Sequence, residues 1–262
     1  MAVGGNDMDR YVKKYLDYLK NVKKRSDSTL SQYKSVLKEF SNYRYKKEDF
    51  RKYLKDISKN APKTQQMKLS IVKGYLNWLY SQGYIKTRFW EDAEAPRSKA
   101  LPHYFSPEEL SKFFSVVDDP YYKALFRFLV NTGMRISEFM MLSTEDIQYF
   151  GSTARIRIRG KGSKERVIQV DAEIMEEVLS TGILNQKPSV RTIQRKMKEY
   201  LKKAGIKKKL TPHSLRHTFA ILLMEHGVPL NRIQSLLGHE SIATTSIYLK
   251  IVGEGEKIPK VF

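Results

Sequence analysis

The sequence predicts a mainly α-helical chain of two domains, with one small antiparallel β-sheet in the second domain. Apolar residues recur at helical spacing through residues 8–85, and this periodicity stops in a polar run at residues 91–103. Beyond that run, two segments of alternating polar and apolar residues stand among further helical patterns. We therefore expect a helical bundle over residues 1–90, a linker over 91–103, and a mixed domain with a C-terminal tail over 104–262.

Four amphipathic helices are predicted in the N-terminal bundle. The first lies near Asp9–Val22, and Gly83 is expected to end the last. The other three helices carry apolar stripes in which residues three or four positions apart share a face. These stripes are Leu30, Tyr33, Val36, Leu37 and Phe40; Phe50, Tyr53, Leu54 and Ile57; and Met67, Ile71, Tyr75 and Leu79.

The second domain is predicted to combine helices with one β-hairpin. Its first helix begins at Ser106, which has the spacing of a capping box with Glu109. Further helices and two paired strands on either side of a lysine-bearing turn are expected. The helices are Tyr121–Val130, Arg135–Leu142 and a series from Val190 onwards, and the strands are Ala154–Gly160 and 165–170.

Both predicted domains carry an excess of positive charge. The formal net charge is +20, with 23 basic and 11 acidic residues in positions 1–100 and 25 and 17 in positions 101–262. Such an excess indicates a polyanionic partner, usually nucleic acid. The alternative from composition alone is a basic surface that serves solubility.

Several classes of protein and site are excluded or disfavoured. The chain has no cysteine, which rules out disulfides, thiolate zinc sites and cysteine nucleophiles. No stretch approaches the ~20 apolar residues of a membrane span, and the N-terminus lacks the apolar core of a signal peptide, so we expect a soluble, cytoplasmic protein. Acidic residues are scattered, and His213 and His217 lack a third zinc ligand, so no metal or other cofactor is expected.

Two segments would each place an arginine at the start of a helix. Thr211 and Pro212 are suited to begin a helix, so His213 and Arg216 would share one face of its first turn. The turn at residues 131–133 would likewise place Arg135 at a helix start, where Glu138 could orient its guanidinium. The alternative for each arginine is an ordinary surface ion pair.

A third segment combines a helix end with a tyrosine. Gly238 is expected to end one helix and Ser241 to cap the next, with His239 on the corner between them. Tyr248 would lie on a short helix just after that corner. Of the remaining histidines, we assign His217 and His226 structural roles and His103 to the linker.

Together these segments resemble the catalytic signature of the tyrosine recombinases of the phage integrase family. The matching runs are Thr-Gly-Met-Arg-Ile-Ser-Glu at 132–138, Gly-Lys-Gly-Ser-Lys-Glu-Arg at 160–166, His-Ser-Leu-Arg-His at 213–217, Leu-Leu-Gly-His at 236–239 and the tyrosine at 248. The resemblance covers nearly the whole chain, because that family carries a helical, SAM-like core-binding domain ahead of its catalytic domain. Within the family it most resembles the Xer proteins, because we expect no arm-binding domain ahead of the bundle, and the single short chain is similar to the archaeal Xer type.

The resemblance implies a role for each matching residue. Tyr248 would attack the scissile phosphate and form a 3′-phosphotyrosine, while Arg135 and Arg216 would bind the non-bridging oxygens. His213 and His239 would donate hydrogen bonds or move the tyrosine proton. The general acid at the 5′-oxygen would come from the hairpin turn, where Lys161 is favoured over Lys164. Neither a metal nor ATP would be required.

The resemblance also implies partners and leaves alternatives. The partners would be a double-stranded DNA recombination site and further copies of the chain, from a dimer to a tetrameric synapse. The predicted helix that begins near Val190 is strongly basic and would contact DNA through Arg191, Arg195, Lys196 and Lys198. The apolar C-terminal residues Ile258, Val261 and Phe262 would dock on a neighbouring protomer or form a disordered tail.

Four functions are compatible with the sequence. The expected one is resolution of chromosome or plasmid dimers. The others are a mobile-element integrase, a type IB topoisomerase-like enzyme, and a DNA-binding protein without catalysis. The integrase would differ from the expected enzyme in its DNA target and not in its chemistry, the topoisomerase-like enzyme would not exchange strands, and the DNA-binding protein would form no covalent adduct.

Overall fold

The chain divides into two compact units, Met1–Ala100 and Leu101–Phe262. The computed structural model describes residues 5–96, 101–160, 165–238 and 245–252. Most of the chain is helical, and the one sheet in the described residues has three strands. This is the mainly α fold with a small antiparallel sheet that the sequence predicts. None of the helices in the described ranges combines the length and apolarity needed to span a bilayer.

The first unit is a bundle of four helices, as expected. They are α1 (Gly5–Asn21), α2 (Asp27–Phe40), α3 (Lys47–Ile57) and α4 (Pro62–Ser81). The predicted stripes face inward: for example, Leu37, Tyr53 and Leu79 are fully buried. Gly83 follows α4 with a φ of +73°, a left-handed conformation that favours glycine. Trp90 and the residues after it also pack on this core, so part of the expected linker, residues 91–103, belongs to the bundle.

Aromatic rings fill much of the bundle core. Tyr53 packs edge-on against Phe40 and Tyr43, with ring centroids 4.9 and 5.3 Å apart. Two buried tyrosines differ in their hydrogen bonding. The Tyr75 hydroxyl lies 2.7 Å from that of Tyr45, whereas the Tyr53 hydroxyl has no hydrogen-bond partner among the described residues. A buried polar atom without a partner costs free energy, so Tyr53 is a weak point of this core.

The second unit begins with the capped helix that the sequence predicts. Ser106 Oγ accepts a hydrogen bond from Glu109 N, and Glu109 Oε2 accepts one from Ser106 N at 2.9 Å. The helices of this unit are α5 (Pro107–Val116), α6 (Pro120–Thr132), α7 (Ile136–Met141), α8 (Ala172–Ser180), α9 (Val190–Lys203), α10 (Pro212–Glu225), α11 (Leu230–Leu237) and α12 (Leu249–Val252). Short 3-10 helices lie at Thr144–Asp146 and Ser246–Tyr248.

The sheet has the order β1-β2-β3 and is antiparallel throughout. Its strands are β1 (Ile147–Phe150), β2 (Thr153–Arg159) and β3 (Glu165–Asp171). In the centre of the sheet, Ile156 pairs with Ile147 on one side and Ile168 on the other. The sequence predicts β2 and β3 but not β1, because four mostly exposed residues carry no alternating pattern. The pairing with β2 is what makes this segment a strand.

Two apolar clusters hold the second unit together. The larger lies between the sheet and helices α5 to α9, and the smaller joins α10, α11 and the residues around Tyr248. Helix α10 contributes to both, through Leu215 to the first and Ala220 and Ile221 to the second. Helix α10 is therefore packed against both clusters.

We expect Tyr53→Phe to raise the free energy of unfolding by about 1 kcal/mol, because it removes a buried hydroxyl that lacks a partner. Tyr75→Phe is the matched control: it deletes an equally buried hydroxyl that is hydrogen-bonded, and should lower the stability by about 1 kcal/mol. Urea unfolding followed by circular dichroism measures both. Equal losses in the two variants would contradict the assignment.

Candidate active site

Helix α10 begins where the sequence predicts and presents His213 and Arg216 in its first turn. Pro212 is its first residue, and Ser214 Oγ accepts a hydrogen bond from Thr211 N at 3.1 Å. The two side chains differ in exposure: His213 is exposed, whereas Arg216 is 1% exposed. A buried guanidinium requires compensation from nearby groups.

Carbonyl groups at two helix ends supply part of that compensation. Arg216 Nη1 donates to Gly133 O and Nη2 donates to Leu237 O, both at 2.6 Å. Gly133 follows α6 and Leu237 is the last residue of α11, so both oxygens lie where helix dipoles are negative. Burial, followed by the charge of Arg135, lowers the pKa of Arg216 to about 9. The side chain is still protonated at neutral pH.

Gly133 is required by the close packing around its carbonyl. Its φ is +60°, and a Cβ placed there would collide with the Phe219 ring of α10. The absence of a side chain allows α6 to turn toward α10, which brings the Gly133 carbonyl to Arg216. Gly238 ends α11 in the same left-handed conformation, as the sequence predicts.

Glu138 joins two arginines in a half-buried ion-pair network. Its Oε1 lies 2.7 Å from Arg135 Nη1, and both carboxylate oxygens bind Arg166 at 2.9 and 2.8 Å. The Arg135 backbone N–H also donates to Oε2 at 2.8 Å. Burial alone would raise the pKa of Glu138, but the hydrogen bonds from Arg166 and Arg135 outweigh it and lower the pKa to about 2. Glu138 therefore orients Arg135, the role that the sequence suggests for it.

Arg166 is the part of this network that the sequence analysis leaves without a role. It lies on β3, and its Nε also donates to Leu236 O at 2.8 Å, so it links the sheet to α7 and α11. The alternation of residues along β3 could have predicted that Arg166 faces inward. Arg166 alternates in phase with Ile168, on the inward face of the strand, where a cation needs a carboxylate partner.

Tyr248 lies in the smaller apolar cluster, 1% exposed, at the end of its 3-10 helix. Its hydroxyl is 2.8 Å from Nδ1 of His217. Burial raises the pKa of Tyr248, whereas the charges of Arg216 and Arg135 lower it and so offset part of that effect. Tyr248 therefore lies close enough to Arg135 and Arg216 to be affected by their positive charges.

His217, to which the sequence assigns a structural role, lies next to Tyr248. Besides its contact with Tyr248, its ring meets the His213 ring edge-on, with centroids 4.6 Å apart. Local sequence patterns do not reveal this contact, because Tyr248 is 31 residues away along the chain. His226 is exposed at the end of α10, with Nδ1 2.7 Å from Leu222 O.

The four basic residues of α9 do not share one surface. Arg191, Arg195 and Lys198 line an open groove on the exposed side of the helix. Lys196 lies on its flank, with Nζ 5.8 Å from the centre of the Tyr122 ring and 3.4 Å from a carboxylate oxygen of Glu199.

Several predicted residues lie outside the described part of the chain. These are Lys161, Lys164, His239, Ser241, and the tail residues Ile258, Val261 and Phe262. Their roles stay predictions. Among the described residues, a buried guanidinium, a second guanidinium held by a carboxylate, and a tyrosine hydroxyl come together. This combination is suited to stabilise negative charge on a phosphoryl group next to an oxygen nucleophile.

We expect Glu138→Gln to lower the free energy of unfolding at pH 7 by about 3 kcal/mol, because it leaves two arginines without their carboxylate. The folded-state pKa of about 2 lies below the ordinary 4.5, so the stabilisation is present above pH 4.5 and is lost as the pH falls toward 2. The difference between wild type and variant should therefore shrink as the pH falls below 4.5. Urea unfolding across this range measures it.

Glu199→Gln is the matched control, since Glu199 pairs with Arg195 and Lys196 on an exposed helix face. Its loss should be below about 1 kcal/mol. Equal losses in the two variants, or a Glu138→Gln difference that does not change with pH, would contradict the network as described.

Comparison with known proteins identifies the family. The model described as "Phage integrase family" matches residues 103–252, and "Phage integrase, N-terminal SAM-like domain" matches residues 12–83. A tyrosine recombinase of Thermosipho africanus is 29% identical over 94% of this chain and 97% of its own length. The tyrosine recombinase XerA of Pyrococcus furiosus is 34% identical over 63% of this chain and 64% of its own length.

A solved structure shows the same fold. The lambda integrase dimer bound to a COC′ core site matches with a TM-score of 0.79 and 17% identity, and the match covers all of both chains. The family match extends over more than half of the chain, from the α5 region to α12, and includes every described residue of the site. The chain therefore belongs to the phage integrase family of tyrosine recombinases, enzymes that cleave and rejoin DNA strands.

Proposed function

We propose that this chain is a site-specific DNA recombinase that acts through a 3′-phosphotyrosine at Tyr248. The observation that carries the proposal is the position of the Tyr248 hydroxyl, which is bound to His217 and lies in the field of Arg216 and Arg135. A tyrosine hydroxyl has an ordinary pKa of ~10, so it needs cations or a base to act as a nucleophile near neutral pH.

The arginines supply the electrostatic part of the reaction. Arg135 keeps its side chain 36% exposed while Glu138 fixes its orientation, so it can bind a non-bridging phosphate oxygen directly. Arg216 is held by two carbonyl groups and favours the same negative charge from a buried position. Both are oriented before DNA arrives, which avoids the cost of reorganising dipoles during the reaction.

Cleavage exchanges one phosphate ester bond for another. The Tyr248 hydroxyl loses its proton to a neighbouring histidine and its oxygen forms a bond to phosphorus, the bond to the 5′-oxygen breaks, and Lys161 gives that oxygen a proton. His213 and His239 donate hydrogen bonds to the phosphoryl group. A 5′-hydroxyl of another strand reverses the step and releases Tyr248. The phosphotyrosine preserves the energy of the phosphodiester bond, so the reaction does not consume ATP.

The buried nucleophile implies that DNA binding changes the site. Tyr248 is 1% exposed, so its hydroxyl and a phosphate can meet only after a local rearrangement. We propose that binding of the duplex favours the rearranged state, because only that state can gain contacts to the scissile phosphate.

The proposed partners are a double-stranded DNA site and further copies of this chain. The structural similarity to a lambda integrase dimer on its core site supports dimers, and a tetramer would form when two sites pair. Similarity to XerA favours resolution of chromosome or plasmid dimers in the cytoplasm over integration of a mobile element. On α9, Arg191, Arg195 and Lys198 face away from the buried side of the helix and would contact phosphates.

We expect wild-type protein to form a covalent adduct with a labelled, nicked suicide substrate, and Tyr248→Phe to form none, because only the tyrosine oxygen can attack the phosphate. A denaturing gel separates the adduct from free DNA. Tyr149→Phe is the control, since Tyr149 is 44% exposed on β1 and should leave the adduct unchanged.

Other outcomes of this experiment decide between the alternatives. An adduct that survives in Tyr248→Phe would assign the nucleophile to another tyrosine. Tight DNA binding without any adduct would favour a protein that only binds. An adduct with relaxation of supercoils but no strand exchange would favour a type IB topoisomerase-like enzyme.

We expect the triple variant Arg191→Gln/Arg195→Gln/Lys198→Gln to bind DNA more weakly and with a smaller salt dependence. Each lost phosphate contact should reduce the slope of log K against log salt concentration by about 0.9. Lys196→Gln is the control, because its ammonium group lies toward the Tyr122 ring and outside the groove that the other three line. Fluorescence anisotropy at several salt concentrations measures the slopes. An unchanged slope in the triple variant would remove α9 from the interface.

A further inference from the structure

His217 is the described side chain that hydrogen-bonds to the hydroxyl of Tyr248. Its Nδ1 lies 2.8 Å from that oxygen, a distance typical of a strong hydrogen bond. His217 follows Arg216 directly in α10, and the burial of Arg216 fixes this part of the helix. The position of His217 relative to Tyr248 is therefore set by the same contacts that hold the arginine.

Burial raises the pKa of Tyr248, and two cations near the pair offset part of that effect. Arg216 and Arg135 both lower the pKa of Tyr248, which means that both stabilise the phenolate. A phenolate forms only if its proton has an acceptor, and a neutral imidazole nitrogen in hydrogen-bond contact is such an acceptor. The ring of His213 meets that of His217 edge-on, at an angle of 81°.

We propose that His217 is a catalytic residue, the general base that accepts the proton of Tyr248 during DNA cleavage. This inference rests on the proposed function of Tyr248. The O–H bond of Tyr248 breaks and its proton moves to Nδ1 of neutral His217, while the oxygen forms its bond to phosphorus. The bond to the 5′-oxygen breaks, its electron pair stays on that oxygen, and Lys161 supplies the proton that neutralises it.

Rejoining reverses each movement. The 5′-hydroxyl loses its proton to Lys161 and attacks phosphorus, the bond from phosphorus to Tyr248 breaks, and protonated His217 returns its proton to the phenolate. In the covalent intermediate His217 has gained one proton and Lys161 has lost one, so the net charge of the site is unchanged, and the imidazolium persists until rejoining. His217 therefore acts on the nucleophile and Lys161 on the leaving group.

The test is the single-turnover rate of adduct formation on the nicked suicide substrate. We expect His217→Ala to reduce this rate by about 100-fold to 10,000-fold, the range of a lost general base, with DNA affinity within about threefold of wild type. Added imidazole should occupy the space left by the side chain and restore the rate at least tenfold. A purely structural role for His217 would not produce rescue by imidazole.

His226→Ala is the matched control, since His226 lies on the same helix but is exposed and distant in sequence from Arg216. It should keep the wild-type rate and show no response to imidazole. Tyr248→Phe should form no adduct with or without imidazole. A rate in His217→Ala equal to or above wild type, or one that imidazole does not raise, would overturn the role of His217 while the wild-type adduct still supports Tyr248.

A substrate with sulfur in place of the bridging 5′-oxygen separates the two proton transfers. A thiolate leaves without a proton far more readily than an alkoxide, because thiols are much stronger acids than alcohols. This substrate should restore cleavage by Lys161→Met but not by His217→Ala. Restoration of His217→Ala would place His217 at the leaving group and overturn the proposal. Absence of any adduct with wild-type protein would overturn both the proposed function and this inference.

Discussion

The buried guanidinium of Arg216 is the constraint on which the rest of the site depends. Its two hydrogen bonds reach the carbonyl groups that follow α6 and end α11, so one side chain joins three helices. The arrangement needs a glycine at position 133, because a side chain there would collide with α10. The turn between α6 and α7, the end of α11 and the first turn of α10 therefore form one unit. Arg135, His217 and Tyr248 are placed by that unit.

Two arginines close to one another repel, and the fold compensates them in different ways. Arg216 uses the negative ends of helices, while Arg135 uses the carboxylate of Glu138, which Arg166 holds in place. Arg166 also binds the carbonyl of Leu236, next to the one that Arg216 binds. The base of the β-hairpin and the end of α11 are thus coupled through one network. Such a network holds the arginine side chains in the orientation that the transition state requires, and burying these charges costs some stability of the folded chain.

The same burial that orders the site also restrains its nucleophile. Tyr248 packs with Ala220, Ile233 and Leu237, and its hydroxyl is bound to His217. Removal from water raises its pKa, while the neighbouring cations lower it. The balance keeps the tyrosine protonated and inaccessible until a phosphate contributes its own charge and contacts. The same packing therefore shields the Tyr248 hydroxyl and fixes the arginines around it.

The sequence by itself determined the features that depend on neighbours along the chain: the bundle helices, the capping box at Ser106, the β-hairpin and the glycine turn before Arg135. It also indicated Arg135, Arg216, Glu138 and Tyr248 through motifs, and Lys161 and His239 remain predictions of the same kind. The tertiary structure alone decided which side chains meet. Arg166 and Glu138 are 28 residues apart, His217 and Tyr248 31, and Arg216 and Gly133 83. Local periodicity carries no information about such pairs, because burial of a charge or hydroxyl selects its partner only when distant helices pack together.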